Sequence, residues 1–228
     1  MRPLDDGESL LDRVTASVRT AILSGEIERG ARLSVPEIAR QLNVSRTPAR
    51  EALLRLQHEG LVEVTPRRGA VVLDGSVTDL KELFEFREAL EGMAARRAAL
   101  EMSDSARAAL RLAFERHTQA VNDGDLAAHV KHDRTFHELF IAASGNSRII
   151  KELERTRSLL RLLTQEMSAQ PGALTPALVE AHSRIFNAIE ARDPDAAEVA
   201  ARKHVAGILR FHLEHDGGRL PLPADEIS

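Results

Sequence analysis

The stretch 32–72, "RLSVPEIARQLNVSRTPAREALLRLQHEGLVEVTPRRGAVV", decides the fold of the first third of the chain. "SVPEIARQL" reads as a short helix, with Ser34 placed to cap it and Pro36 in a first-turn position. A second helix follows in "SRTPAREALLRLQH": Ser45 is its candidate N-cap, and Ala49, Ala52, Leu53 and Leu56 mark the buried face. "LVEV" (61–64) and "AVVL" (70–73) are β-prone and flank the turn "TPRRG", so they read as a hairpin. Upstream, residues 8–24 place Leu11, Val14, Val18 and Ile22 about every fourth position, an amphipathic helix that Gly25 would end. Helix, helix–turn–helix and hairpin in that order make a winged helix-turn-helix, whose second helix enters the DNA major groove with its N-terminal residues toward the bases.

The charge pattern agrees. The whole chain has a formal net charge of −4, yet residues 30–68 hold seven Arg against four Glu and no Lys. A local basic surface binds phosphate even on an acidic chain. Arg46 and Arg50 are four apart and share a face at the end that enters the groove. Arginine pairs bidentately with guanine, while Ser45 and Thr47 offer hydroxyls to phosphate or base. Arg67 and Arg68 sit at the hairpin tip beside the flanking backbone or minor groove, and Gly69 allows the tight turn. An arginine pair alone is more often a solvated surface feature; the ordered set of elements favours DNA.

The chain has 228 residues, 43% hydrophobic and 29% charged, an ordinary balance for a globular protein. Trp and Tyr are absent, and the abundance of Ala, Leu, Arg and Glu favours helices. Cysteine is absent too, which excludes disulfides, thiolate zinc sites and cysteine nucleophiles. No signal-peptide pattern and no run of about 18 apolar residues is present, so a soluble cytoplasmic protein without membrane association is expected. Beyond a polar boundary at "DGSVTD" (74–79), helices are expected at about 78–100, 104–122, 125–143, 147–168, 175–191 and 194–214. The expected fold is mainly α: a winged helix-turn-helix over 8–75 followed by an all-α bundle over 78–216.

Several bundle helices break their apolar stripe with one polar residue. The stripe Leu126, Val130, Asp133, His137, Phe140 holds a carboxylate and an imidazole one turn apart. Leu178, His182, Ile185, Ile189 and Ala197, Ala201, His204, Ile208, Phe211 each hold a histidine at mid-helix, and Leu80, Leu83, Arg87, Leu90, Ala94 an arginine. Any one such histidine is more often a hydrogen-bonded core residue. Three imidazoles and a carboxylate from three facing helices, however, are the N/O donors a divalent metal takes. Ligation would remove the penalty of burying them. His129 and His132 fall off the stripe and read as surface residues or supports of the ligands; His58, His117, His212 and His215 read as surface or structural residues.

Residues 8–75, and "VSRTPAREAL", "LRL" and "EGLV" in particular, resemble the winged-helix domain of GntR-family bacterial transcription regulators. The resemblance implies DNA contacts at Arg46, Arg50 and the Arg67–Gly69 wing. "HDRTFHELF", "AASGN", "EAHSRIFNAI" and "ARKHV" are similar to the FCD ligand-binding domain of the FadR branch. There an Asp and three His bind a metal, which with a nearby Arg captures a small carboxylate effector. By that likeness the metal ligands are Asp133, His137, His182 and His204, Arg87 in "FREALEGMAA" is the anion binder, and Asn146 turns toward the cavity. Six helices rather than seven imply the shorter variant of the branch.

The reading is a ligand-responsive repressor that binds a near-palindromic double-stranded operator as a homodimer. A small organic acid at a divalent metal, zinc or nickel foremost and manganese or iron also compatible, modulates it. The alternatives are a metal-dependent enzyme acting on a small carboxylate, and a regulator whose signal is the metal itself.

Overall fold

The computed structural model describes residues 9–65, 69–164 and 176–215. These divide into two compact units, 9–76 with 157–164 and 77–156 with 176–215.

The first unit contains α1 (Leu10–Leu23), β1 (Arg32–Leu33), α2 (Val35–Gln41), α3 (Arg46–His58), β2 (Val62–Thr65) and β3 (Gly69–Val72). Ser9 and Asp12 form a reciprocal capping box at the start of α1. Ser34 caps α2, its hydroxyl accepting from the Glu37 N–H at 3.3 Å. Between α2 and α3 the chain turns through Asn43 at φ +52°, a left-handed conformation that Asn tolerates better than most residues. Val14, Val18, Ile22, Ile38, Ala49, Ala52, Leu53 and Leu56 are buried, so the faces read from the periodicity are the core faces.

β2 and β3 pair antiparallel from Val62↔Val72 to Thr65↔Gly69, and the sheet order is β1-β3-β2. The two-residue strand β1, which pairs Leu33 with Ala70, was not expected: two residues carry no alternation to read. Gly69 stands at φ +83°, and a Cβ there would come within 3.0 Å of the Leu33 carbonyl oxygen, so the tight turn does need glycine. Arg67 and Arg68, the expected wing contacts, lie outside the described residues.

The second unit is helical: α4 (Val77–Glu101), α5 (Asp104–Asp123), α6 (Leu126–Ala143), α7 (Ser147–Leu163, in this unit as far as Thr156), α8 (Pro176–Glu190) and α9 (Pro194–His215). The expected helix 147–168 is described only to Leu163, with a turn at Thr164. The polar breaks prove to be caps. Ser103 accepts from the Ala106 N–H, Gly124 closes α5 at φ +68°, and Asp125 accepts from the Ala128 N–H at 2.9 Å. Ala94, Ala95, Ala98 and Ala99 of α4 are fully buried, as are Ala197 and Ala201 of α9, and these small side chains let the two helices lie close. Phe136 and Phe140 of α6 meet Ile185 and Ile189 of α8 in the same core. Val130 departs from the expected stripe: it is 50% exposed, while its neighbour His129 packs against His117. No helix among the described residues is long and apolar enough to cross a membrane.

Candidate DNA-reading and cation sites

In the first unit, the start of α3 is built to meet an anion. Ser45 occupies the N-cap position, but its hydroxyl makes no capping hydrogen bond, and the first turn of α3 carries no acidic residue. The helix N-terminus therefore presents free N–H groups and an unopposed positive dipole end. Ser45, Arg46, Thr47 and Arg50 are all exposed, and neither arginine has an ion-pair or hydrogen-bond partner among the described residues. Three other arginines of these helices are engaged: Arg19 forks onto Glu59, Arg40 onto Glu37, and Arg55 reaches Asp12. An unpaired arginine couple beside a helix N-terminus is what phosphate and guanine contact requires.

In the second unit, α4, α6, α8 and α9 bring polar side chains together. His137, His182 and His204 are buried, with donor atoms all within 4.8 Å of one another. His137 Nε2 lies 3.2 Å from His182 Nε2, and Asp133 Oδ1 lies 3.0 Å from His182 Nε2 and 4.0 Å from His137 Nε2. The opposite ring atoms fix the tautomers. His182 Nδ1 is 2.9 Å from the Leu178 carbonyl oxygen, and His137 Nδ1 is 3.0 Å from Glu91 Oε2. A carbonyl and a carboxylate only accept, so both Nδ1 atoms carry protons and donate, which leaves Nε2 as the atom each ring would offer to an ion. Both Nε2 atoms and the Asp133 oxygen converge. His204 Nε2 is buried with no hydrogen-bond partner among the described residues.

Protonation does not resolve the conflict for the whole set. Burial, then the charges of His182 and His137, push His204 well below the usual imidazole range, so it is neutral at pH 7. Asp133 keeps 34% of its side-chain surface exposed. Its partial burial would raise the carboxyl, but the hydrogen bond from His182, with His137 and His204 nearby, outweighs this and holds it well below the carboxylate range. The result is an ionised carboxylate beside a neutral His204.

The set fits a metal ion. A separation of 3.2 Å between imidazole nitrogens is what two ligands about 2.0–2.1 Å from one zinc ion adopt. Both ligating rings hold their remaining N–H against an acceptor, the usual orientation of metal-bound imidazoles. Asp133, His137, His182 and His204 would hold the ion.

Glu91 was not anticipated. It is 2% exposed and joins the group to Arg87, whose Nε donates to Glu91 Oε1 at 2.6 Å while Glu91 Oε2 accepts from His137. Burial pushes the Glu91 carboxyl up, but Arg87 and His137 outweigh it and keep it ionised. The signal was the i,i+4 spacing from Arg87, which puts both on one helix face. Arg87 itself is paired rather than free, and stands over the Phe84 ring. Asn146 serves as a cap: its Oδ1 accepts from the Arg148 and Ile149 N–H groups at the start of α7. His117, grouped in the sequence reading with surface or structural residues, is fully buried, its ring 4.3 Å from that of His182. Burial and His182 push it down to about 4. His129 is half-buried against it, His58 is exposed, and the His215 side chain lies outside the described residues.

Comparison with known proteins follows the same division. Residues 10–72 match the family described as bacterial regulatory proteins, gntR family, and residues 82–207 match the FCD domain. A probable D-xylose utilization operon transcriptional repressor of Paenarthrobacter nicotinovorans is 31% identical over 86% of each chain. The HTH-type transcriptional repressor RspR of Escherichia coli is 29% identical, covering 84% of this chain and 83% of its own. The solved structure of E. coli McbR/YncC superposes with a TM-score of 0.70 at 25% identity, covering 90% of this chain and 99% of that one.

Proposed function

The chain belongs to the GntR family of bacterial transcription regulators, with a C-terminal FCD domain, and we propose that it is a repressor whose hold on DNA is set by a small carboxylate bound at a divalent cation. Its relatives are transcription regulators rather than enzymes, and two of them are named as repressors. One observation carries the reading: the convergence of His137 Nε2, His182 Nε2 and Asp133 Oδ1 on one point, with the unpartnered His204 Nε2 beside them. A carboxylate and three imidazoles gathered in a bundle interior are costly to bury unless a cation meets them.

When bound, the ion supplies a Lewis-acidic position open to a carboxylate oxygen. The chain's own residues do the rest. Glu91 holds the His137 ring by its Nδ1 proton and is itself held by Arg87. A carboxylate arriving beside Asp133 competes with Glu91 for the Arg87 guanidinium, whose fork suits carboxylates. Transfer of Arg87 to the effector would loosen Glu91 on His137 and shift α4 against α6, the kind of two-state element a regulatory ligand biases.

Elemental analysis of purified protein tests the cation. Operator binding measured across a panel of small organic acids and sugar acids, with and without a chelator, tests the effector. Protein purified without metal, and taking none up, would overturn the reading. Operator affinity that tracked free metal with no organic acid present would make the metal itself the signal. Arg87→Lys keeps the charge that Glu91 needs but loses the fork; metal content should be unchanged while the effector concentration needed for half-response rises about tenfold or more. A normal response would remove Arg87 from that role.

The homodimer has its own support. Phe86, Met93 and Leu100 of α4 are 45%, 42% and 54% exposed and fall seven residues apart, one apolar stripe along a helix whose other side is core. A second copy covering that stripe would bring two recognition helices to a near-palindromic operator. Phe86→Glu with Met93→Glu should turn a dimer into a monomer in light scattering; a dimer that persists would place the interface elsewhere.

A further inference from the structure

A second group of donors lies beside the first. His117 of α5 is fully buried, and neither ring nitrogen has a hydrogen-bond partner among the described residues. A neutral imidazole carries one donor and one acceptor, so both are unmet, at a cost of about 1–3 kcal/mol for each group left so. The His117 ring stands 4.3 Å from His182 and 5.0 Å from His129, whose Nδ1 is likewise buried and unpartnered. Donor atoms of His117, Asp133 and His182 all lie within 4.8 Å of one another. Along α6, His129, Asp133 and His137 are spaced four apart, which sets an imidazole one turn to either side of the Asp133 carboxylate.

We propose that His117 and His129, with Asp133 as a shared carboxylate, form a second divalent-cation position beside the first, so that the FCD domain holds a two-ion centre. The proposal rests on the reading of His137, His182 and His204 as ligands of the first ion. His182 serves only one ion, because its Nδ1 proton is given to the Leu178 carbonyl and Nε2 alone is free. With Nε2 directed at the first ion, His117, His129 and the second oxygen of Asp133 remain for the other. These are the same imidazole and carboxylate donors, suited to the same class of cation. A carboxylate shared in this way joins ions about 3.5–4 Å apart in two-metal sites. Two dications set against the charges of Asp133 and Glu91 leave an excess of positive charge, so the second ion binds more weakly than the first. A small carboxylate spanning both would strengthen it, which gives the effector a two-pronged seat.

The test counts ions. Protein stripped with a chelator is brought to equilibrium dialysis against increasing zinc, and bound zinc per chain is measured to saturation. Two ions are expected in the wild type and one in His117→Gln and in His129→Gln, with secondary structure checked by circular dichroism. His129 is only half-buried, so its variant keeps the test decisive if His117→Gln fails to fold. Cobalt-loaded wild type should also show magnetic coupling between ions that His129→Gln lacks. Saturation of the wild type at one ion, or retention of two in a folded variant, overturns the second position and leaves the first standing. No bound ion at all overturns both.

Discussion

Arg50→Ala or Arg46→Ala should weaken binding to a specific operator by about 1–3 kcal/mol, a five- to 150-fold rise in Kd, and relax base preference at one position in each half-site. The expectation rests on what these side chains lack. Both are exposed at the start of α3 without an acidic partner, whereas Arg19, Arg40 and Arg55 are already paired within the unit. A paired arginine gives up its carboxylate before it binds DNA; an unpaired one does not. Ser45 strengthens the case, since its hydroxyl is not spent on capping and is available to a phosphate. The measurement compares a duplex that the wild type selects from a random pool with a scrambled duplex of the same length. Loss confined to the selected duplex is base readout. Equal loss on both, with a salt slope reduced by about one, would make the residue a phosphate contact.

The helices were legible because their apolar spacing and their caps agree. Ser34, Ser103 and Asp125 cap helices whose buried faces follow the expected period. The interrupted stripes marked His137, His182 and His204, and all three are buried together. The same signal was present for His117 and went unused: Leu110, Ala113, His117 and Val121 form an apolar stripe broken by one imidazole, and all four are buried. Glu91 was harder to see, because it stands next to Leu90 on the stripe and a glutamate four residues from an arginine usually marks a solvated helix pair. Its burial is a property of how α4 and α6 pack, which periodicity within one helix does not encode. Val130 illustrates the converse: it has the right spacing but is 50% exposed, because at that turn it is His129 that faces the buried His117.

His182→Ala should empty the cation position it shares with His137 and His204 and blunt the response of thermal stability to chelator, while the effect of His204→Leu should change sign with the ion. In the wild type, an ion present at about 100 times its Kd stabilises the fold by about 2.7 kcal/mol. For a chain of this size that corresponds to a fall in Tm of about 5–10 °C when a chelator is added. His182 Nε2 lies 3.0 Å from Asp133 and 3.2 Å from His137, so its loss breaks up the converging group, and the variant's Tm should fall far less on adding chelator than that of the wild type. His204 differs because its Nε2 is buried without any protein partner. Without the ion it is an uncompensated polar atom, and a leucine of comparable bulk relieves that cost. With the ion it is a ligand, and the same substitution is destabilising. Chelated His204→Leu should therefore melt at or above chelated wild type, while metal-loaded His204→Leu melts well below loaded wild type. A variant equally destabilised under both conditions would mean that His204 only fills space, and that the ion, if bound, is held by the other three side chains.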